Sequence, residues 1–111
     1  MANALTTAQL AALRRRLEEE RDRIVRVLGS PATAEPEVEE RQPEIEEAAQ
    51  RAAERDQAAG VLARERALLA EVERALTKMD RGTYGVSETT GAPIRYARLA
   101  AMPWARQDLD E

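Results

Sequence analysis

Apolar residues along the chain fall into two helical stripes separated by a proline-rich interval. Leu10, Leu13, Leu17, Ile24 and Leu28 recur at three- and four-residue steps, with Glu20 filling the position between Leu17 and Ile24. A stripe this narrow is of the coiled-coil type and predicts a helix over about 7–28. Thr6 or Thr7 suits its N-cap, and Gly29-Ser30-Pro31 stops it. Arg14, Arg15, Glu18, Glu19, Asp22 and Arg26 form the solvated face. Pro31, Pro36 and Pro43 exclude a continuous helix through 29–43, because each lacks an N–H and clashes with the preceding turn. That interval reads as an extended connection with one helical turn at 37–42. A second helix is expected over about 43–80, roughly 55 Å long at the helical rise. Pro43 fits the first helical position, and Glu44, Glu46 and Glu47 complement the positive end of the helix dipole. Lys78, Arg81 and Gly82 fit the other end. Its stripe is Ala58, Leu62, Leu69, Val72, Leu76 and Met79. Gly60 costs about 1 kcal/mol within a helix, so close approach of the partner helix, or a bend, is expected there.

Two amphipathic helices joined by a polar connection fold back on each other, since neither stripe is stable facing water. Placing Leu10 opposite Leu76 brings Leu28 near Ala58. The second helix then projects past the first by about 20 Å. Residues 44–49 become the tip of a rod spanning 1–80, with residues 81–111 at its base. In the base, Thr83–Val86 and Ala92–Ile94 are expected to pair as a short β-hairpin. Arg95–Ala101 forms one or two helical turns ending before Pro103. Asp108–Glu111 reads as an acidic segment that frays.

Composition narrows the function. The chain has 111 residues, one Trp, two Tyr and no Phe, with Ala, Leu, Glu and Arg dominant. No Cys and no His are present, which removes disulfides, thiolate metal sites and the usual general base. Net charge is −4, yet residues 35–47 alone carry seven Glu and one Arg, leaving the rest of the chain slightly positive. Duplex nucleic acid would be repelled by that patch, and no basic stripe with interleaved aromatics exists elsewhere. No apolar run approaches the ~20 residues of a membrane span, and no signal-peptide core is evident, so a soluble cytoplasmic protein is expected. The site checklist for an enzyme finds no phosphate loop and no nucleophile–base pair.

Specific order returns at the C-terminal side, in Tyr84-Gly85, Gly91, Pro93-Ile94, Arg98-Leu99, Pro103 and Ala105. With Gly82-Thr83 before Tyr84, this spacing resembles the zinc finger of the DksA/TraR family of bacterial transcription regulators. In that family a Tyr-Gly pair leads into Cys-x-x-Cys-Gly, then Arg-Leu, Pro and a second Cys-x-x-Cys. The four cysteine positions fall here on Ser87, Thr90, Asp108 and Glu111. The resemblance covers about 43–111; the first helix agrees only in type. It implies a mainly α fold: an antiparallel helical-hairpin coiled coil with a degenerate, zinc-less finger as base. Two carboxylates and two hydroxyls make a weak site even for a hard cation, so no metal and no cofactor is expected. Apolar packing of Tyr84, Ile94, Leu99 and Trp104, with Val86 and Met102, against Leu76 and Met79 is expected to hold the base instead. Ser87 or Thr90 then bonds local backbone.

The family also carries an Asp-x-x-Asp-x-Ala motif at its rod tip. An ungapped count back from Tyr84-Gly85 places it on Glu44, Glu47 and Ala49. What the resemblance implies is entry of the rod into the secondary channel of RNA polymerase. The tip would modulate open-complex stability, with no direct DNA contact. Glu after Pro at a helix start is also ordinary dipole complementation. Glu71 and Met102 occupy places where family members that respond to ppGpp are expected to be basic, and only Arg64 survives, so ppGpp dependence is expected to be weak or absent. A monomer is expected, although the stripes permit a dimer. A structural or adaptor coiled coil is the alternative reading.

Overall fold

The computed structural model describes residues 5–29, 44–109 and 111. Of the expected connection 29–43, residues 30–43 lie outside them; the second helix begins at Ile45, with Glu44 as its N-cap, two residues later than the expected start at 43. Three helices are present among the described residues: α1 (Thr7–Leu28), α2 (Ile45–Arg81) and α3 (Tyr96–Ala101). No described helix is long and apolar enough to cross a membrane.

The start of α1 is fixed by a capping box. The Thr6 hydroxyl accepts the Gln9 N–H at 3.0 Å, and the Thr6 N–H donates to Gln9 Oε1 at 2.9 Å. Two of the unsatisfied first-turn donors are thereby covered. At the C-terminal end of α2, the N–H of Gly82 donates to the Lys78 and Met79 carbonyls, with Gly82 at φ 75°. Only glycine adopts that left-handed backbone without strain.

The stripes meet as an antiparallel hairpin. Leu13, Leu17 and Ile24 of α1 are buried with Val72, Ala75 and Leu76 of α2. Glu20, the polar interruption, is accommodated by Arg23. This guanidinium bonds Glu20 on its own helix at 2.7 Å and Glu65 across the seam at 3.0 Å. Arg14 reaches Asp80 at 2.7 Å, and Leu10 faces Met79, Gly82 and Tyr84. Beyond the overlap, every residue from Glu44 to Ala59 except Arg51 is exposed.

Two expectations are corrected. A methyl group added at Gly60 would meet only the Arg64 side chain, at 3.6 Å, an ordinary contact. Close helix approach does not explain this glycine, and α2 continues unbroken through it. The base hairpin is also absent: among the described residues 83–94 hold only an isolated antiparallel bridge, Val86 to Pro93. Ser87 N–H donates to the Ala92 carbonyl and Ile94 N–H to that of Gly85, each at 2.8 Å. The ladder goes no further because Pro93 has no N–H, and Gly85 and Gly91 take φ of 87° and 75°, outside extended backbone.

The base shares the core of the hairpin. Tyr84, Ile94, Leu99 and Ala105 join the same buried cluster as Leu13, Leu17, Val72 and Leu76. Arg16 of α1 donates to the Ala100 carbonyl, tying α3 to the rod. We predict that Leu17→Ala lowers unfolding free energy by about 3 kcal/mol through loss of a fully buried side chain. Gly60→Ala should raise it by about 0.5–1 kcal/mol. Denaturant titration followed by far-UV circular dichroism reads both.

Candidate functional site

The projecting end of α2 places the tip residues in solvent. Glu44 is the N-cap with extended backbone, and its side chain makes no capping bond. Its carbonyl instead accepts the Ala48 N–H at 2.8 Å. Glu47 lies three residues on, so the two carboxylates share a side of the helix start. Glu44, Glu46, Glu47 and Ala49 are all exposed, and Ile45 between them is 89% exposed. No ion pair engages Glu44, Glu46 or Glu47 among the described residues. Such a tip presents free carboxylates and one large apolar side chain on a stiff support. It contains no nucleophile–base pair.

At the opposite end, the structure gathers Ser87, Thr90, Asp108 and Glu111 into one hydrogen-bonded cluster. The buried Ser87 hydroxyl accepts the N–H groups of Thr89 and Thr90 at 3.1 and 3.2 Å. It donates in turn to Glu111 Oε1 at 2.6 Å. The other carboxylate oxygen of Glu111 accepts the Asp108 N–H at 2.5 Å. These bonds, with the Thr90 hydroxyl, hold the Glu111 carboxyl below its ordinary pKa, the Ser87 hydroxyl being the largest cause. Asp108 accepts the Arg95 N–H at 3.0 Å and its guanidinium at 2.8 Å. Arg95 holds the Asp108 carboxyl well below the usual carboxylate range. Among the described residues no group of three or more acidic, His or Cys side chains is arranged to hold a metal ion. Internal hydrogen bonds engage the oxygens at the four positions.

This arrangement revises the expected base. Tyr84, Ile94 and Leu99 are buried, and Trp104 is half-buried against the core. The Tyr84 hydroxyl donates to the Pro103 carbonyl at 2.8 Å, and burial pushes its pKa up. Polar bonds nevertheless fasten the segment expected to fray, so packing does not act alone. Sequence reasoning also missed a charged network on α2. Glu88 lies 3.0 Å from Arg74 and 2.9 Å from Lys78, and its pKa is lowered, chiefly by Lys78. Arg106 bonds Glu71 through two nitrogens, at 2.9 and 2.8 Å. The Glu88 N–H meets the Arg106 carbonyl at 2.8 Å. The signal was a set of opposite charges far apart in sequence, which no helical period reveals.

The solved structure of transcription factor DksA2 from Pseudomonas aeruginosa has this architecture, with a TM-score of 0.75 and 27% identity over 94% of this chain and 80% of that one. The chain is DksA-like. No family model matches it. Local sequence similarity is stronger. General stress protein 16O of Bacillus subtilis is 56% identical over 46 residues, covering 41% of this DksA-like chain and 28% of that protein. The RNA polymerase-binding transcription factor DksA of Caulobacter vibrioides is 40% identical over 47 residues, 42% of this chain and 33% of its own length. The matches thus span a third or less of these curated relatives.

In the DksA-like base, Ser87→Ala should cost about 1–2 kcal/mol, because it leaves two N–H groups and a carboxylate without their bonds. Thermal unfolding with and without a chelator checks this. The variant should melt lower, and chelator should shift neither protein.

Proposed function

We propose that this chain regulates transcription by binding RNA polymerase through its secondary channel, with the acidic tip modulating open-complex stability. The observation that carries the reading is the exposed start of α2. There Glu44 and Glu47 stand exposed on a helix running past α1, within a DksA-like fold. Support comes also from the Caulobacter relative, itself named an RNA polymerase-binding transcription factor.

The physical action is recognition. Carboxylates on a stiff helix end meet Arg or Lys in a desolvated channel, where charge-assisted bonds are strong. Differential contact with two promoter-complex states shifts their populations without bond making. DNA is not contacted directly, because the tip is anionic. The cytoplasm is the site of action. The apolar seam is consumed within the hairpin, which supports a monomer over a self-associating coiled coil. Glu71 is an anion and offers a phosphate no donor, and Arg106 beside it is engaged in pairing with it, which favours weak or absent ppGpp dependence.

In vitro transcription on a promoter with short-lived open complexes tests the reading. Wild-type protein should change open-complex lifetime. Glu44→Ala/Glu47→Ala should lose most of that effect, roughly tenfold or more in potency, from the loss of two charge-assisted contacts. Capture of core polymerase should be competed by a Gre-type cleavage factor. Equal activity of both proteins would rule out the tip, and absence of capture would rule out the partner.

A further inference from the structure

We propose that the base carries a proton-operated clasp: Asp108 and Glu111 hold residues 106–109 and 111 against Arg95 and the 87–90 turn, and acid releases them while the helical hairpin stays folded. The inference stands on the geometry of the base and is independent of the polymerase reading.

Two carboxylates supply the acceptors of this fastening. Glu111 takes a hydroxyl from Ser87 at 2.6 Å and the N–H of Asp108 at 2.5 Å. Asp108 takes the Arg95 N–H at 3.0 Å, the Arg95 guanidinium at 2.8 Å and the Leu109 N–H at 2.7 Å. A protonated carboxyl loses the charge that makes these bonds strong and becomes a donor facing other donors. The segment's other attachments do not run through these two carboxylates. The Glu88 N–H meets the Arg106 carbonyl at 2.8 Å, and the Thr89 hydroxyl meets Gln107 at 3.0 Å. Arg106 reaches Glu71 and Glu88 at 2.8 and 3.7 Å.

Arg95, at the start of α3, faces Asp108. Arg74 and Lys78 of α2 are turned to Glu88, and Glu71 to Arg106. Arg16 of α1 is occupied by the Ala100 carbonyl. Asp108 itself faces Glu111 as a like charge, which opposes ionisation of Glu111. Both clasp carboxyls, and Glu88, are nonetheless held below their ordinary values. The sign follows from that direction. A depressed folded-state pKa contributes stability that is fully present above the unfolded value, about 4. It is lost as pH falls through the folded value. Acid therefore weakens the clasp and the Glu88 network together. The seam around Leu13, Leu17 and Val72 is held chiefly by apolar burial, and its flanking pairs Arg14–Asp80 and Arg23–Glu65 add little to it.

An NMR pH titration of the full chain separates these parts. Backbone amides of Arg95 and Asp108 donate directly to the clasp carboxylates, and the amides of Leu17 and Leu76 report the hairpin. As pH falls from about 4 towards the depressed folded-state values, the Arg95 and Asp108 amides should lose protection while those of Leu17 and Leu76 keep it. Arg95→Gln should raise the midpoint of release by roughly one pH unit, since Asp108 loses the cation that depresses it. Asp108→Asn should open the Arg95 amide already at neutral pH, with far-UV circular dichroism unchanged. Loss of all four amides at one pH overturns the proposal, as does an Arg95→Gln midpoint equal to wild type.

Discussion

Burial of one apolar seam places everything else in this molecule. Leu13, Leu17 and Ile24 are buried in one cluster with Val72, Ala75 and Leu76, and neither stripe is stable in water without the other helix. Once they meet, the antiparallel register follows, and with it the level at which the base can sit. Tyr84, Ile94 and Leu99 complete the same cluster, so the base is seated by the hairpin's own core. The ion pairs Arg14–Asp80 and Arg23–Glu65 trim this register more than they drive it, since exposed pairs contribute little.

The base shows how a finger-like turn is held with oxygen chemistry. A thiolate cluster would draw its strength from a metal. Here the four corresponding positions bond one another and the backbone, with a hydroxyl, Ser87, buried at the centre. The difference is one of currency: proton concentration replaces metal activity as the solution variable that the fastening senses.

Several features were legible in the sequence for clear physical reasons. The stripe from Leu10 to Leu28, the Thr6 cap and the Gly82 stop are local signals, and α1 and α2 follow them. The exposure of Glu44 and Glu47 followed from the unequal lengths of the two helices. What escaped was long-range or conformational. Pro93 and the left-handed Gly85 and Gly91 prevent a hairpin that residue types alone suggested. Arg95 to Asp108, and Ser87 to Glu111, join residues by backbone routes that no periodicity encodes. Gly60 looked like a contact point because small residues cluster there, yet among the described residues a methyl group there would meet the Arg64 side chain of its own helix, at 3.6 Å.

The unbroken course of α2 has a consequence of its own. One helix carries the exposed carboxylates at its start and ends in the core that seats the base. A helix advances about 1.5 Å and turns about 100° per residue. Inserting a single residue between Ala59 and Leu68 would therefore swing Glu44 and Glu47 most of a third of a circle around the rod, with little change in reach. Insertion of seven, nearly two whole turns, would restore their bearing while moving them outward by about 10 Å. The helical phase of α2, more than its length, dictates which way the tip faces, and so chain length within this helix can vary only in steps that preserve that phase.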